Sequence, residues 1–313
     1  MRAVTIVDGK LDWREHPDLV PGNGEVRVRV RAAGLNSADR LQVVGRYPAP
    51  VGSPQDIPGL EIAGEVDLVG PGVTRWRPGD RVMAVVGGGG QAEQCVVHER
   101  HLLPVPERLS DVEAGGFPEV FTTAHDALFT QCGLTMGERV CVHGAAGGVG
   151  VAGVQLAVAA GASVVATVRN EDLRRAVGKL GATVVAPEGF ADHGPFDVVL
   201  ELIGGPNLPD DIRSLALGGR ITVIGVGAGP AATIDLFGLM AKRGRIHGST
   251  LRTRSLEDKA EAARRVERQV LPLVADGRLS VPVAATFPLA AAADAYERFT
   301  QGGKLGKIVL VAE

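Results

Sequence analysis

The residues of this chain with the most evident chemical potential are His143-Gly144-Ala145-Ala146-Gly147-Gly148-Val149-Gly150. Set against the pattern G-x-G-x-x-G, the last two glycines fall at Gly147 and Gly150, and Ala145 stands at the first position. The run follows the apolar stretch Val140-Cys141-Val142 and opens a helix expected from Val149 to Ala160, with Gly161 as its stop. Gly147 lets backbone approach a diphosphate, and Gly150 lets the helix sit close to the sheet. Free N–H groups at a helix start face negative charge. The candidate contacts are therefore Ala146, Gly147, Gly148 and Val149. A glycine-rich turn kept only for packing is the alternative, and the strand–turn–helix setting favours a dinucleotide.

The second strand of such a unit discriminates between nicotinamide cofactors. An NAD site wants an Asp or Glu at the strand end for the ribose 2′-hydroxyl. Here the strand ends Ala166-Thr167-Val168-Arg169-Asn170, with no acid. Arg169 is suited to a 2′-phosphate, with Arg174 and Arg175 on the following helix. Glu171 and Asp172 suit the helix dipole in the first turn. The expected cofactor is NADPH, with NADH the alternative.

Around this motif the chain divides in its rhythm. The first ~115 residues form short strands broken by turns such as Gly70-Pro71-Gly72. Val26, Val28, Val30 and Ala32 alternate with arginines, which marks a half-buried strand. From Arg139 strands alternate with helices: six strands, the last at 245–250, predict a doubly wound parallel sheet. The tail from Ser255 has two helical patterns and a closing strand, Lys307 to Val311, expected to pack back on the N-terminal portion.

Composition sets the outer bounds. The 313 residues suffice for about two domains. At 45% hydrophobic and 22% charged, the chain is not disordered. A net charge of −3 argues against nucleic acid as a partner. Cys95, Cys132 and Cys141 form no disulfide framework and no paired-ligand motif. No leader and no apolar stretch of spanning length stand out, so a cytoplasmic protein without membrane contact is expected.

Several runs resemble one family: Gly34-Leu35-Asn36-Ser37-Ala38-Asp39, Pro58 to Gly64, Gly87 to Ala92, Phe117-Pro118-Glu119, the dinucleotide turn, Ser249 to Ser255, and Gly306-Lys307-Ile308-Val309. Over nearly its whole length the chain resembles zinc-free quinone oxidoreductases of the medium-chain dehydrogenase/reductase superfamily, and the p53-inducible type most. The resemblance implies an α/β protein with a GroES-like β-rich catalytic domain and a Rossmann domain, and a homodimer. The corresponding boundaries are 1–117 and 253–313 for the catalytic domain and 118–252 for the cofactor domain.

The resemblance also implies site residues. Zinc-dependent relatives place Cys at Asn36 and Gly-His-Glu at Gly59-Leu60-Glu61, so no metal is expected. His98 and His101 read as a polar loop and strand edge. Hydride would pass from the cofactor to a quinone or an enone, with Asn36 and Tyr47 lining the nicotinamide pocket as catalytic residues. Asn36 as a turn residue and Tyr47 as a turn aromatic are the alternatives. Thr123 is implied near the nicotinamide, Gly225 near its ribose, and Ser249, Thr250 and Leu251 beside the carboxamide. Lys307 either approaches the cofactor or caps a strand, and Glu201 holds a ribose hydroxyl or a neighbouring backbone group. Leu173 and Glu188 replace the Lys and Tyr that many NADPH-using relatives carry. The competing readings are an enoyl-thioester-type alkene reductase and a nucleotide-binding relative without activity.

Overall fold

The structure is a computed structural model and describes residues 1–312. The chain forms two compact units. One comprises Met1–Thr122, Leu251–Gly302 and the segment from Lys307; the other comprises Thr123–Thr250 and Gly303–Gly306. The divisions thus fall after 122 and 250, against expected boundaries after 117 and 252, and a four-residue return joins the second unit. In that return the Gly306 N–H bonds to the Ala146 carbonyl at 2.9 Å.

The first unit begins with the hairpin β1 (Arg2–Val7) and β2 (Lys10–Glu15), turned at Asp8-Gly9, both with positive φ. Then come β3 (Glu25–Gly34), β4 (Glu61–Val69), β5 (Arg81–Val85), β6 (Gln94–His98) and β7 (Leu103–Pro104). The second unit supplies β8 (Arg139–Val142), β9 (Ser163–Thr167), β10 (Thr183–Val185), β11 (Phe196–Glu201), β12 (Leu215–Val223) and β13 (Arg245–Gly248). The chain then returns to the first unit with β14 (Val283–Pro288) and β15 (Lys307–Val311).

The long strand β3 organises the first sheet. Its early residues pair with β6, and its last three, Ala32 to Gly34, pair with β15. Strand β4 lies against most of its other edge. The returning tail is therefore part of the first unit's sheet. The alternation Val26, Val28, Val30 delivers those side chains to a core with Ile62, Val66, Val82 and Leu102.

The second sheet is six-stranded and parallel, in the order β10-β9-β8-β11-β12-β13. Chain order thus reverses between β8 and β11, and all six carboxyl ends lie on one edge. Ligands bind at such a switch point in doubly wound sheets.

Candidate functional site

The carboxyl edge of the parallel sheet gathers most of the cofactor residues expected from sequence. The turn after β8 leads into the helix Gly148–Ala159, with Gly147 as its N-cap. A Cβ on Gly150 would lie 2.5 Å from the Gly144 carbonyl oxygen and 2.6 Å from Ala145 Cα, so helix and turn close only on glycine. At Gly147 a Cβ would meet only the Gly144 oxygen, at 3.4 Å, so the outer side of the turn is open. The first amides of this helix, at Gly148, Val149 and Gly150, have no carbonyl within the helix one turn back. The turn is pinned to its neighbours: His143 N–H donates to Leu200 O at 3.0 Å, and Ala145 N–H to Thr167 O at 3.1 Å. An anchored, glycine-lined turn that opens a helix fits a dinucleotide diphosphate.

Arg169 follows β9 on the same edge. Its side chain is exposed, and among the described residues none accepts a hydrogen bond from it. Arg174 is engaged, donating to Val168 O and to Glu171 Oε1 at 3.0 Å each. Asn170 Oδ1 caps the next helix by accepting the Asp172 N–H. Glu188 is exposed after β10.

Beyond β11, Glu201 is fully buried and accepts N–H groups from Ile203, Gly204 and Asn207 Nδ2. Of its two sequence readings, the structure realises the backbone partner. Gly225 follows β12, where a Cβ would run into the Leu202 carbonyl oxygen, so glycine is required for packing as well. Ser249 and Thr250 follow β13, and Ser249 Oγ donates to Asp126 Oδ2 at 3.1 Å. Thr123 is buried at the start of this unit, and Leu251 is buried at the resumption of the first.

The first unit assembles a buried polar cluster where β3, β4 and β15 meet. Lys307 Nζ stands 2.6 Å from Glu61 Oε1 and donates to Asn36 Oδ1 at 2.8 Å and Leu35 O at 2.7 Å. Asn36 Nδ2 donates to Glu61 Oε1 at 2.9 Å, and Glu61 Oε2 accepts the Glu119 N–H at 2.9 Å. Lys307 and Glu61 are buried. With three acceptors for its three N–H bonds, the ammonium has none left for a cofactor. In this structure the Lys307 ammonium is committed to the buried cluster. Asn36 caps the helix Ser37–Val43, where Asp39 Oδ2 accepts its backbone N–H at 2.8 Å. Asn36 thus has the turn role that sequence left open, with a side chain still partly exposed.

Tyr47 is half-buried, and its ring lies under the Arg252 guanidinium, 5.0 Å from the ring centroid. Arg252 also donates to Tyr47 O at 2.8 Å, Gly87 O at 2.8 Å and Gln42 Oε1. Burial raises the Tyr47 phenol above its ordinary range, opposed by Arg252 and reinforced by Glu119. The phenol keeps its proton at neutral pH, and no described residue hydrogen-bonds to it. His98 and His101 lie 5.6 Å apart between ring centroids: His98 accepts the Arg100 N–H and His101 contacts Leu256 O.

Residues 22–107 match the family of alcohol dehydrogenase GroES-like domains, and residues 161–310 match that of zinc-binding dehydrogenases. The chain is 32% identical to acryloyl-coenzyme A reductase of Metallosphaera sedula, covering 99% of each chain. It belongs to the medium-chain dehydrogenase/reductase superfamily. Quinone oxidoreductase of Mus musculus is 31% identical, over 93% of this chain and 90% of that one. A mycobacterial protein solved in complex with NADPH superposes with a TM-score of 0.87 at 26% identity, covering 99% of both chains. The chain is thus an oxidoreductase of this superfamily with its nicotinamide-dinucleotide-binding fold.

Sequence reasoning missed Arg252, Asp39 and Asp211 as site-building residues. Asp39 was recoverable from the spacing Asn36-x-x-Asp39, a capping signal. Arg252 and Asp211 had no local signal, because their partners are distant in sequence.

Proposed function

We propose that this protein is an NADPH-dependent, zinc-independent reductase of quinones and other conjugated carbonyl acceptors, of the p53-inducible quinone oxidoreductase type. The observation that carries this reading is the Lys307 ammonium on Glu61, flanked by Asn36 and the buried Leu60, at the positions where zinc-dependent relatives hold a metal. Asn36 and Leu60 stand where those relatives carry Cys and His, and the Glu61 carboxylate beside them is neutralised by a cation. These residues do not fit a catalytic zinc.

A conjugated acceptor needs a proton donor more than a Lewis acid. NADPH, when bound, supplies a hydride from its reduced nicotinamide. The acceptor gains that hydride at carbon or oxygen and one proton, giving a hydroquinone or a saturated carbonyl. Tyr47 donates to the acceptor oxygen, and its raised phenol range keeps the proton available. Asn36, its amide held by Glu61, Gly34 O and Lys307, lines the acceptor pocket. The amides from Ala146 to Val149 hold the diphosphate, Arg169 the 2′-phosphate, and Thr123, Gly225, Ser249, Thr250 and Leu251 the nicotinamide riboside. The unpaired guanidinium of Arg169 and the absence of a strand-end acid support NADPH over NADH.

The similarity to acryloyl-coenzyme A reductase favours a second reading, reduction of an enoyl thioester by the same groups. Oxidation of NADPH followed at its absorbance with 1,2-naphthoquinone and with acryloyl-CoA separates the two. Turnover of the quinone at undiminished rate in EDTA is expected. No turnover with any quinone or enone overturns the first reading.

Cys95, Cys132 and Cys141 are buried free thiols, which supports a reducing, cytoplasmic setting. Among the described residues no helix is long and apolar enough to cross a membrane. Strand β13 ends the parallel sheet, and the helix Leu236–Lys242 exposes Leu236, Phe237 and Met240. An unpaired strand edge and apolar side chains in the same unit support a homodimer.

A further inference from the structure

The second unit buries four chemistry-bearing side chains that the proposed reaction does not use. They are Cys141 on β8, His143 just after it, Glu201 ending β11, and Asp211 on the helix Leu208–Arg213. His143 Nε2 lies 2.8 Å from Asp211 Oδ1, 3.9 Å from Glu201 Oε2 and 3.6 Å from Cys141 Sγ. The Phe190 ring closes the pocket edge-on, 4.5 Å from the imidazole. Among the described residues, Asp211 Oδ2 is buried with no partner.

Such a group could hold a cation or a proton, and the distances choose the proton. Ligand atoms around a tetrahedral cation stand about 3.3 Å apart, whereas 2.8 Å is an ordinary hydrogen bond. Glu201 already has three N–H donors from its own loop. Burial opposes a charged imidazole, but Cys141 and Asp211 more than offset it and hold His143 well above the usual histidine range. Burial pushes Asp211 up to about 6, with His143 opposing and Glu201 adding.

The other face of the ring reaches the dinucleotide turn. His143 Nδ1 lies 3.1 Å from Thr167 Oγ1, which accepts the Gly144 N–H at 3.3 Å. A connected path therefore runs from Asp211 through His143 and Thr167 to the first amide of the turn. We propose that Asp211 is a positioning residue for this turn, fixing a protonated His143 and so coupling nucleotide affinity to pH. This rests on the reading of the turn as the diphosphate site.

The sign follows from the groups that face His143. They are the Cys141 thiol from β8, the Glu201 and Asp211 carboxylates from β11 and the helix, and the uncharged Thr167 from β9. Loss of the imidazolium proton leaves the two carboxylates unbalanced beneath a site for anions. It also turns Nδ1 from donor to acceptor, and the Thr167 hydroxyl then turns its proton to the ring while Oγ1 still accepts the Gly144 N–H. The unbalanced negative charge weakens the hold on a diphosphate.

The test is the Kd of NADPH between pH 6 and 10, by fluorescence titration of wild type and Asp211→Asn. Wild-type affinity is expected to fall about fivefold on the alkaline side, one hydrogen bond's worth. Asp211→Asn is expected to bind about fivefold more weakly at pH 7 and to lose the pH step. A variant with wild-type affinity and an unchanged pH profile overturns the proposal. Should the variant not fold, ring-nitrogen NMR of histidine-labelled wild type decides, with His143 assigned from His143→Gln: a doubly protonated ring at pH 7.5 supports the proposal, and a neutral ring overturns it. Wild type that binds neither NADPH nor NADH overturns the functional reading instead, and the NMR result still judges the cluster.

Discussion

Lys307 Nζ and Glu61 Oε1 stand 2.6 Å apart with both side chains buried, although 246 positions separate them. The pair exists because β15 and β4 flank the same strand, β3. Removing one partner leaves the other charge buried without compensation. Lys307→Met is expected to cost about 3–5 kcal/mol of stability, measured by urea denaturation. Adding Glu61→Gln recovers part of that loss. A single variant within about 1 kcal/mol of wild type would deny the pair its structural weight.

Arg169→Glu is expected to raise the KM for NADPH about 10- to 100-fold, the value of a charge-assisted hydrogen bond. The KM for NADH should move far less, because NADH has no 2′-phosphate. Steady-state kinetics with both cofactors check this. Equal effects would remove Arg169 from phosphate recognition.

Tyr47→Phe keeps the ring under Arg252 and deletes the hydroxyl. A fall in kcat of about 100-fold is expected if the phenol donates the proton. The wild-type rate should hold through neutral pH and fall only in alkali, since the phenol's range is raised by burial. An unchanged rate in the variant reduces Tyr47 to packing.

Asp39 is fully buried, and burial raises its carboxyl to about 7, against the Asn36 N–H and Lys307. A folded value above the unfolded 3.8 means that the charged form is disfavoured in the fold. Its contribution to stability is therefore complete below pH 4 and is lost as pH rises toward 7. Asp39→Asn should raise the Tm relative to wild type at pH 8 more than at pH 5, with an upper bound of about 4 kcal/mol. Parallel Tm curves for the two proteins across that window would refute the assignment.

Phe237 is 78% exposed on a helix that also shows Leu236 and Met240 to solvent. Phe237→Asp should lower the mass measured by light scattering from dimer to monomer at micromolar concentration. A wild-type monomer at all concentrations would exclude the dimer.

The parallel sheet was legible in sequence because its central strands, such as Arg139–Val142, Ser163–Thr167 and Phe196–Glu201, are short apolar runs closed by glycine or polar residues, and period decides such elements locally. The turn from Gly144 to Gly150 was legible for the same reason: the conformational need lies within one segment. The hairpin at Asp8-Gly9 has a local turn signal, but the charged residues of β2 hide its strand period.

What the sequence determined by itself was therefore the dinucleotide turn, the strand rhythm and the residue types available at Asn36, Leu60 and Arg169. Tertiary structure alone decided that Lys307 neutralises Glu61 rather than reaching outward, that Arg174 is occupied while Arg169 is not, and that Asp211 lies against His143. Pairings of buried charge depend on which strands become neighbours. That neighbourhood is set by the packing of the whole sheet and leaves no periodic trace along the chain.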